Sequence, residues 1–176
     1  MKFKETGISG AWIIGFDKRE DDRGYFARVW CHQELLSRGL SGTCAQVNTA
    51  HSPRAGTLRG MHFQVFPHAE VKIARCVRGA AFDALIDLRP DSKTFRRWFG
   101  MTMTPDSGEM LYVPEGCAHG YLTLSDDTEV MYFTSNFYAA NATRGVRYDD
   151  PAFDIRWPAN VKVISAVDQS WPDFHS

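Results

Sequence analysis

The chain has almost no net charge: 20 lysine and arginine residues stand against 21 aspartate and glutamate residues, a formal charge of −1. Without a broad basic field, nothing holds a polyanion along its length, so nucleic acid is excluded as a principal partner. Apolar runs near 18 residues are also missing, which removes a membrane-spanning helix. The opening MKFKETGISG has basic residues but no apolar stretch of a secretory signal. Cysteine is scarce: Cys31, Cys44, Cys76 and Cys117 form no C-x-x-C pair and read as small core residues in a reducing compartment. Internal repeats, low-complexity stretches and linkers are absent too, so the 176 residues are expected to form one soluble, cytoplasmic domain spanning 1–176. Apolar residues at 44% against 23% charged are enough for a core without staples. Lysine is the scarcer cation, with six against fourteen arginines. Arginine is the planar fork that grips phosphate bidentately, so the neutral total suits a small dianion better than a polymer.

Helix is the next scarcity. The chain reads as short β-branched and aromatic runs broken by Gly, Pro, Asn and Asp. Strands are expected at Ala11–Phe16, Tyr25–Trp30, Thr43–Asn48, Thr57–Gln64, Val71–Arg78, Ala80–Leu88, Arg97–Met103, Glu109–Val113, Ala118–Leu124 and Thr128–Phe137. One helix is expected before the C-terminal third, His32–Arg38, stopped by Gly39. Ten strands without crossover helices imply an all-β, antiparallel sandwich or barrel of the jelly-roll kind with a few short helices. Pro151, Pro158 and Pro172 mark a C-terminal segment that wraps rather than continuing the sheet.

Strand alternation selects the residues that could share a face. Lys72 projects with Ala74 and Cys76, opposite Val71, Ile73 and Val77. His62 and Gln64 project with Gly60, and Tyr132, Thr134, Asn136 and Tyr138 share one parity. A polar interior is seldom maintained by a purely structural protein, because buried polar groups need partners. The P-x-G-x-x-H run Pro114–His119 resembles the second motif of cupin barrels. The first motif would need H-x-H at His62, but the second position is Gln64, a poor metal ligand beside imidazole or carboxylate. His62, Glu70 and His119 remain as three ligands for a metal-dependent oxygenase reading. Without metal, a base near neutral pKa, an ammonium and a phenol are the set needed for proton abstraction beside a carbonyl.

Several longer motifs carry a resemblance. Thr57-Leu-Arg-Gly-Met-His-Phe-Gln64, Val71-Lys72, CVRGAAFDALIDLRPDSKTF, YVPEGCAHGY, RGVRYDDPAFDIRWP and ISAVDQSWPDF, in this order, resemble the dTDP-4-dehydrorhamnose 3,5-epimerase family. The similarity runs from Asp21-Asp-Arg23-Gly-Tyr-Phe26 to Phe174. It implies a cupin-type jelly roll that works without metal or cofactor, as a homodimer with exchanged N-terminal strands, on a nucleoside-diphosphate 4-keto-6-deoxyhexose. By position, His62 matches the family's general base, Asp168 its carboxylate partner, Lys72 the cation near the sugar 4-oxygen, and Tyr132 the acid on the opposite face of the ring. Arg23 and Arg59 match pyrophosphate contacts, Gln46 and Asn48 polar nucleotide contacts, His119 a substrate contact at the rim, and Tyr138 the aromatic stacked on the base; Phe26 falls in the same substrate set. Strict alternation places Arg59 opposite His62, so either Gly60 marks a bulge or Arg59 reaches a site made with a partner subunit.

Two positions depart from the family pattern. Arg28, in Asp22-Arg-Gly-Tyr-Phe-Ala-Arg28, stands where an acidic nucleotide-site residue is usual, and Thr143 stands where a glutamate is usual. The resemblance implies inversion of C3 and C5 of a dTDP-4-dehydro-6-deoxyglucose-type sugar by deprotonation and reprotonation through an enolate. Losing two acceptors and gaining a cation fits, as the alternative, a single-carbon epimerase on a CDP- or GDP-linked 4-keto sugar. A cupin that binds a nucleotide sugar without turning it over is the remaining alternative, and it leaves His62, Lys72, Tyr132 and Asp168 without a purpose.

Overall fold

A computed structural model describes residues 1–174, and among them lie thirteen strands and two short α-helices. In chain order these are β1 (Lys2–Glu5), β2 (Trp12–Gly15), β3 (Arg19–Asp21), β4 (Gly24–Phe26), α1 (His32–Leu36), β5 (Gln46–Ser52), β6 (Leu58–Gln64), β7 (Lys72–Arg78), β8 (Ala81–Asp87), β9 (Trp98–Met103), β10 (Glu109–Val113), β11 (Cys117–Thr123), β12 (Thr128–Thr134), β13 (Thr143–Gly145) and α2 (Ala166–Gln169). Six strands form one antiparallel sheet, β1-β2-β10-β7-β12-β5, and five form the other, β13-β6-β11-β8-β9. The two sheets make a cupin-type jelly roll, with β3 and β4 standing apart as a hairpin.

Each sheet is covered on both faces. Ala74, Cys76, Leu111 and Val113 of the first sheet share an inner cluster with Leu85, Met103 and Cys117 of the second. The outer face of the six-stranded sheet buries Ile14, Ile73 and Met110 against Leu35 and Leu40, so Lys72 and Ile73 do point to opposite sides. The outer face of the five-stranded sheet buries Met61, Ala84, Ile86 and Ala118 under Val146, Phe153, Trp157 and Phe174. The C-terminal segment therefore wraps, as its prolines predict. No helix among the described residues is long and apolar enough to cross a membrane.

The differences from expectation have local causes. Helix α1 closes at Leu36, with Gly39 at φ +71° while Leu40 N donates to Leu35 O and Gly39 N to Leu36 O, the paired bonds of a Schellman stop. The expected strand Tyr25–Trp30 pairs only over Gly24–Phe26; beyond it, Val29 and Trp30 turn onto the outer cluster rather than into a ladder. The expected strand Thr43–Asn48 is displaced to Gln46–Ser52, where its register with β12 runs from Gln46↔Thr134 to Ser52↔Thr128. The end of the expected Thr128–Phe137 strand is cut at Thr134 because Asn136 Oδ1 takes the Phe137 N–H. Strands β1, β3 and β13 were not expected. Only two cysteines belong to the core: Cys76 and Cys117 are buried, Cys31 is half-buried and Cys44 exposed.

Candidate active site

A cavity of about 530 Å³ opens between the sheets, within the usual range for a small-molecule site. Its wall combines Arg59 and His62 from β6, Lys72 from β7, His119 and Tyr121 from β11, Tyr132 from β12, and Asp168 from α2, with residues 163–165 of the wrapping segment closing one side.

Arg59 and His62 share this cavity because β6 carries one residue more than its partner. Register runs His119↔His62 and then Tyr121↔Arg59, so three steps along β6 oppose two along β11. This bulge returns Arg59 to the face of His62. Gly60 makes it possible: its φ is +123°, and a Cβ there would meet Gly120 Cα at 2.5 Å and His119 O at 2.8 Å. Of the two explanations open from sequence, the bulge accounts for Arg59. At the mouth, Arg59 is steadied by Ser52 Oγ at 3.4 Å and the His51 carbonyl at 3.2 Å.

His62 Nε2 lies 2.6 Å from Asp168 Oδ1. The other carboxylate oxygen accepts from Gly60 N at 3.2 Å, and Asp168 N donates to Ser165 Oγ at 3.0 Å as the first turn of α2 begins. Burial alone would raise the Asp168 carboxyl, but the hydrogen bonds from His62, Gly60 and Ser165 and the imidazole charge together hold it below the ordinary carboxylate value. An ionised carboxylate on Nε2 selects the tautomer with Nδ1 unprotonated and stabilises the imidazolium once a proton arrives. Trp171 packs its edge against the same ring, with centroids 6.4 Å apart.

Lys72 Nζ sits 3.1 Å from Glu70 Oε1 and donates to the His62 carbonyl at 3.4 Å. The Tyr132 phenol is held above its ordinary value, first by burial and then by the negative charge of Glu70, with Arg59 opposing. It is therefore a protonated donor at neutral pH.

His119 is not at the rim: it is only 7% exposed and stands 2.6 Å from Asp83 Oδ1, out of line for a hydrogen bond. Asp83, His119 Nε2 and the Tyr121 hydroxyl thus keep unused hydrogen-bonding capacity inside the protein. Burial pushes the Tyr121 phenol up to about 12. Asp83 was missed from sequence, although its parity with Leu85 in AFDALID puts a carboxylate on the inner face.

The three side chains that sequence offered as metal ligands take separate partners: His62 with Asp168, Glu70 with Lys72, His119 beside Asp83. Among the described residues no three His, Cys, Asp or Glu side chains converge to hold a metal ion. Gln64 is buried and braces the 137–139 segment, accepting from Ala139 N at 2.6 Å and donating to Phe137 O at 3.1 Å.

The remaining binding candidates divide into two groups. Gln46 accepts from Tyr138 N at 2.7 Å, Asn48 stands in register with Tyr132, and Thr143 bonds Ala139 O at 3.1 Å, which gathers these residues around the strand ends. Gln46, Asn48, Tyr138 and Thr143 do not line the cavity wall, and neither do Arg23, Phe26 and Arg28. Arg23 forms an exposed pair with Asp21 at 2.6 Å, Phe26 is exposed, and Arg28 pairs with Glu34 at 3.0 Å.

Comparison with known proteins agrees with this geometry. The family model described as dTDP-4-dehydrorhamnose 3,5-epimerase matches residues 5–176. The chain belongs to the dTDP-4-dehydrorhamnose 3,5-epimerase family. Within that family it is 38% identical to the dTDP-4-dehydrorhamnose 3,5-epimerase of Sinorhizobium fredii, over 98% of this chain and 89% of the relative. It is 35% identical to a dTDP-4-dehydrorhamnose 3-epimerase of Streptomyces niveus, over 96% of this chain and 82% of that one. Among solved structures, the Bacillus anthracis dTDP-4-dehydrorhamnose 3,5-epimerase with TDP and PPi bound superposes with a TM-score of 0.94 at 36% identity, covering 98% and 99% of the two chains.

Proposed function

We propose that this chain is an isomerase that inverts C3 and C5 of a dTDP-linked 4-keto-6-deoxyhexose by removing and returning protons through an enolate. The observation that carries the reading is one cavity holding a carboxylate-backed imidazole, an ammonium and a protonated phenol.

His62 Nδ1 takes the proton α to the ketone, the C–H electron pair becomes the enolate C=C bond, and the carbonyl π pair moves onto the 4-oxygen. On this reading Lys72, on the same cavity wall, stabilises that oxyanion, and Asp168 steadies the imidazolium on its far side. Tyr132 then returns a proton to the carbon from the other face, the enolate collapses to the ketone, and solvent resets both groups. Arg59 at the mouth supplies a fork for the pyrophosphate, and His119 and Tyr121 on the cavity wall offer unfilled hydrogen bonds to sugar oxygens.

The thymidine reading follows the relatives. Arg28, the departure that suggested another base, is already committed to Glu34 within its own chain, which weakens the CDP or GDP alternative. The resemblance to a 3-epimerase supports a second reading in which only C3 is inverted. We also read the chain as half of a homodimer: the β3–β4 hairpin presents Tyr25 and Phe26 to solvent and Arg23 away from its own cavity, while β5 leaves an unpaired edge with Val47 exposed. Free thiols at all four cysteines suit a reducing compartment, and the cytoplasm is our placement.

Proton NMR in D2O with dTDP-4-keto-6-deoxyglucose tests the chemistry. Solvent deuterium should enter at C3 and C5; uptake at C3 alone would select the single-carbon reading, and none at either carbon would overturn the assignment. Sedimentation at micromolar concentration tests the dimer, which a monomer of 19.9 kDa would refute.

A further inference from the structure

Glu70 takes no part in the proton transfers just described, yet its placement is unusual. The residue lies just before β7 and outside the cavity wall, with its side chain 8% exposed and Oε1 3.1 Å from Lys72 Nζ, itself on a side chain only 14% exposed. Its other oxygen accepts from Gln64 Nε2 at 3.1 Å. The two hydrogens of Gln64 Nε2 are shared among Glu70 and the carbonyls of His68 and Phe137, and its Oε1 accepts from Ala139 N, so the residues on either side of Tyr138 are tied to the same carboxylate. The second tether on Lys72, the His62 carbonyl at 3.4 Å, is long and uncharged.

A lysine ends in a point charge on a flexible four-carbon stem, so a site that needs it in one place must hold it there. A buried carboxylate on the side away from the cavity does that without occupying substrate space. Its negative charge, after burial, also helps to hold the nearby Tyr132 phenol in the protonated form the reaction uses.

We infer that Glu70 is a positioning residue: it seats the Lys72 ammonium where the enolate oxygen forms and, through Gln64, couples that seat to the segment carrying Tyr138. The inference rests on the epimerase reading above. Its effect should fall on the step in which charge develops, and much less on binding.

The test compares Glu70→Gln and Glu70→Asp with the parent in steady-state turnover and deuterium uptake from D2O, with Tm as the control for folding. Glu70→Gln preserves size and a bond to Gln64 while removing the charge. It should lower kcat about tenfold and leave KM within about twofold, whereas Glu70→Asp should retain an intermediate kcat. In a Lys72→Met background, Glu70→Gln should slow residual uptake no further, because the residue acts through that lysine. Parental kcat in Glu70→Gln, or the same fold-loss with and without Lys72, would overturn the inference. If Glu70→Gln does not fold, Glu70→Asp decides: parental kcat refutes the positioning role and a reduced kcat at unchanged KM supports it. A parent that takes up no deuterium refutes the epimerase reading itself.

Discussion

Replacing Asp168 by asparagine removes one charge and almost no volume, and the structure allows its consequence to be worked through. The carboxylate makes a 2.6 Å contact to His62 Nε2 and a 3.2 Å one to Gly60 N. A hydrogen bond to a charged group contributes about 1.5–3 kcal/mol, and each 1.4 kcal/mol is roughly tenfold in rate, so losing the support of the imidazolium slows proton abstraction by about 10- to 150-fold. Asparagine adds a second penalty. Its oxygen is drawn to the Gly60 N–H, which turns the amide NH2 toward Nε2 and selects the imidazole tautomer with Nδ1 already protonated. The expected loss in deuterium uptake is therefore about 100-fold or more, with KM little changed because Asp168 backs the imidazole rather than the substrate. Uptake by Asp168→Asn within about threefold of the parent would refute the dyad as the source of the base.

Other expectations follow from the same structure. Gly60→Ala places a Cβ against backbone that cannot move aside, 2.5 Å from Gly120 Cα; the expected cost is about 3–5 kcal/mol, seen as a Tm lower by roughly 10 °C, and a Tm within about 2 °C of the parent would refute the close approach. Asp87 is fully buried, and although burial works against its ionised form, bonds from Arg89, Ser92 and Thr94 bring its carboxyl down from 3.8 to about 2. A carboxyl depressed on folding contributes stability above its unfolded value and loses it as pH falls. Urea titrations between pH 5 and 2 should show the parent losing about 2 kcal/mol more than Asp87→Asn through this window; parallel curves would refute it. For the thiols, Cys44 should react first with an aromatic disulfide reagent, while Cys117, pushed up to about 12 by burial, stays silent until the protein unfolds.

Much of the fold was legible because alternation is a local signal: Lys72 faces the cavity and Ile73 the outer cluster, and Tyr132 and Phe133 separate to the inner and outer clusters as their parity says. Gly60 shows where locality fails. A single glycine announces a possible bulge, but only the pairing with β11 says that one occurs and which way it carries Arg59. The stretch Tyr25–Trp30 has strand composition without a strand neighbour, and aromatic residues that cover another sheet look in sequence like residues that belong to one. Asp168 was legible only through resemblance, since 106 positions separate it from His62 and no local pattern joins a four-residue helix to a strand so far away. Asp83 is the converse: its neighbours in sequence are ordinary, and its importance comes from His119 on the adjacent strand.

That long separation has a kinetic consequence. The base is assembled from a strand locked into the five-stranded sheet and a helix of only four residues on the wrapping segment, so its two halves need not share one stability. Local openings of lightly held segments cost less than global unfolding. Each excursion of residues 163–171 away from β6 would disarm His62 while the jelly roll stays intact. The fraction of molecules able to pull a proton is then set by the docking equilibrium of this segment, and amide hydrogen exchange at Asp168 and Gln169 would report that fraction directly.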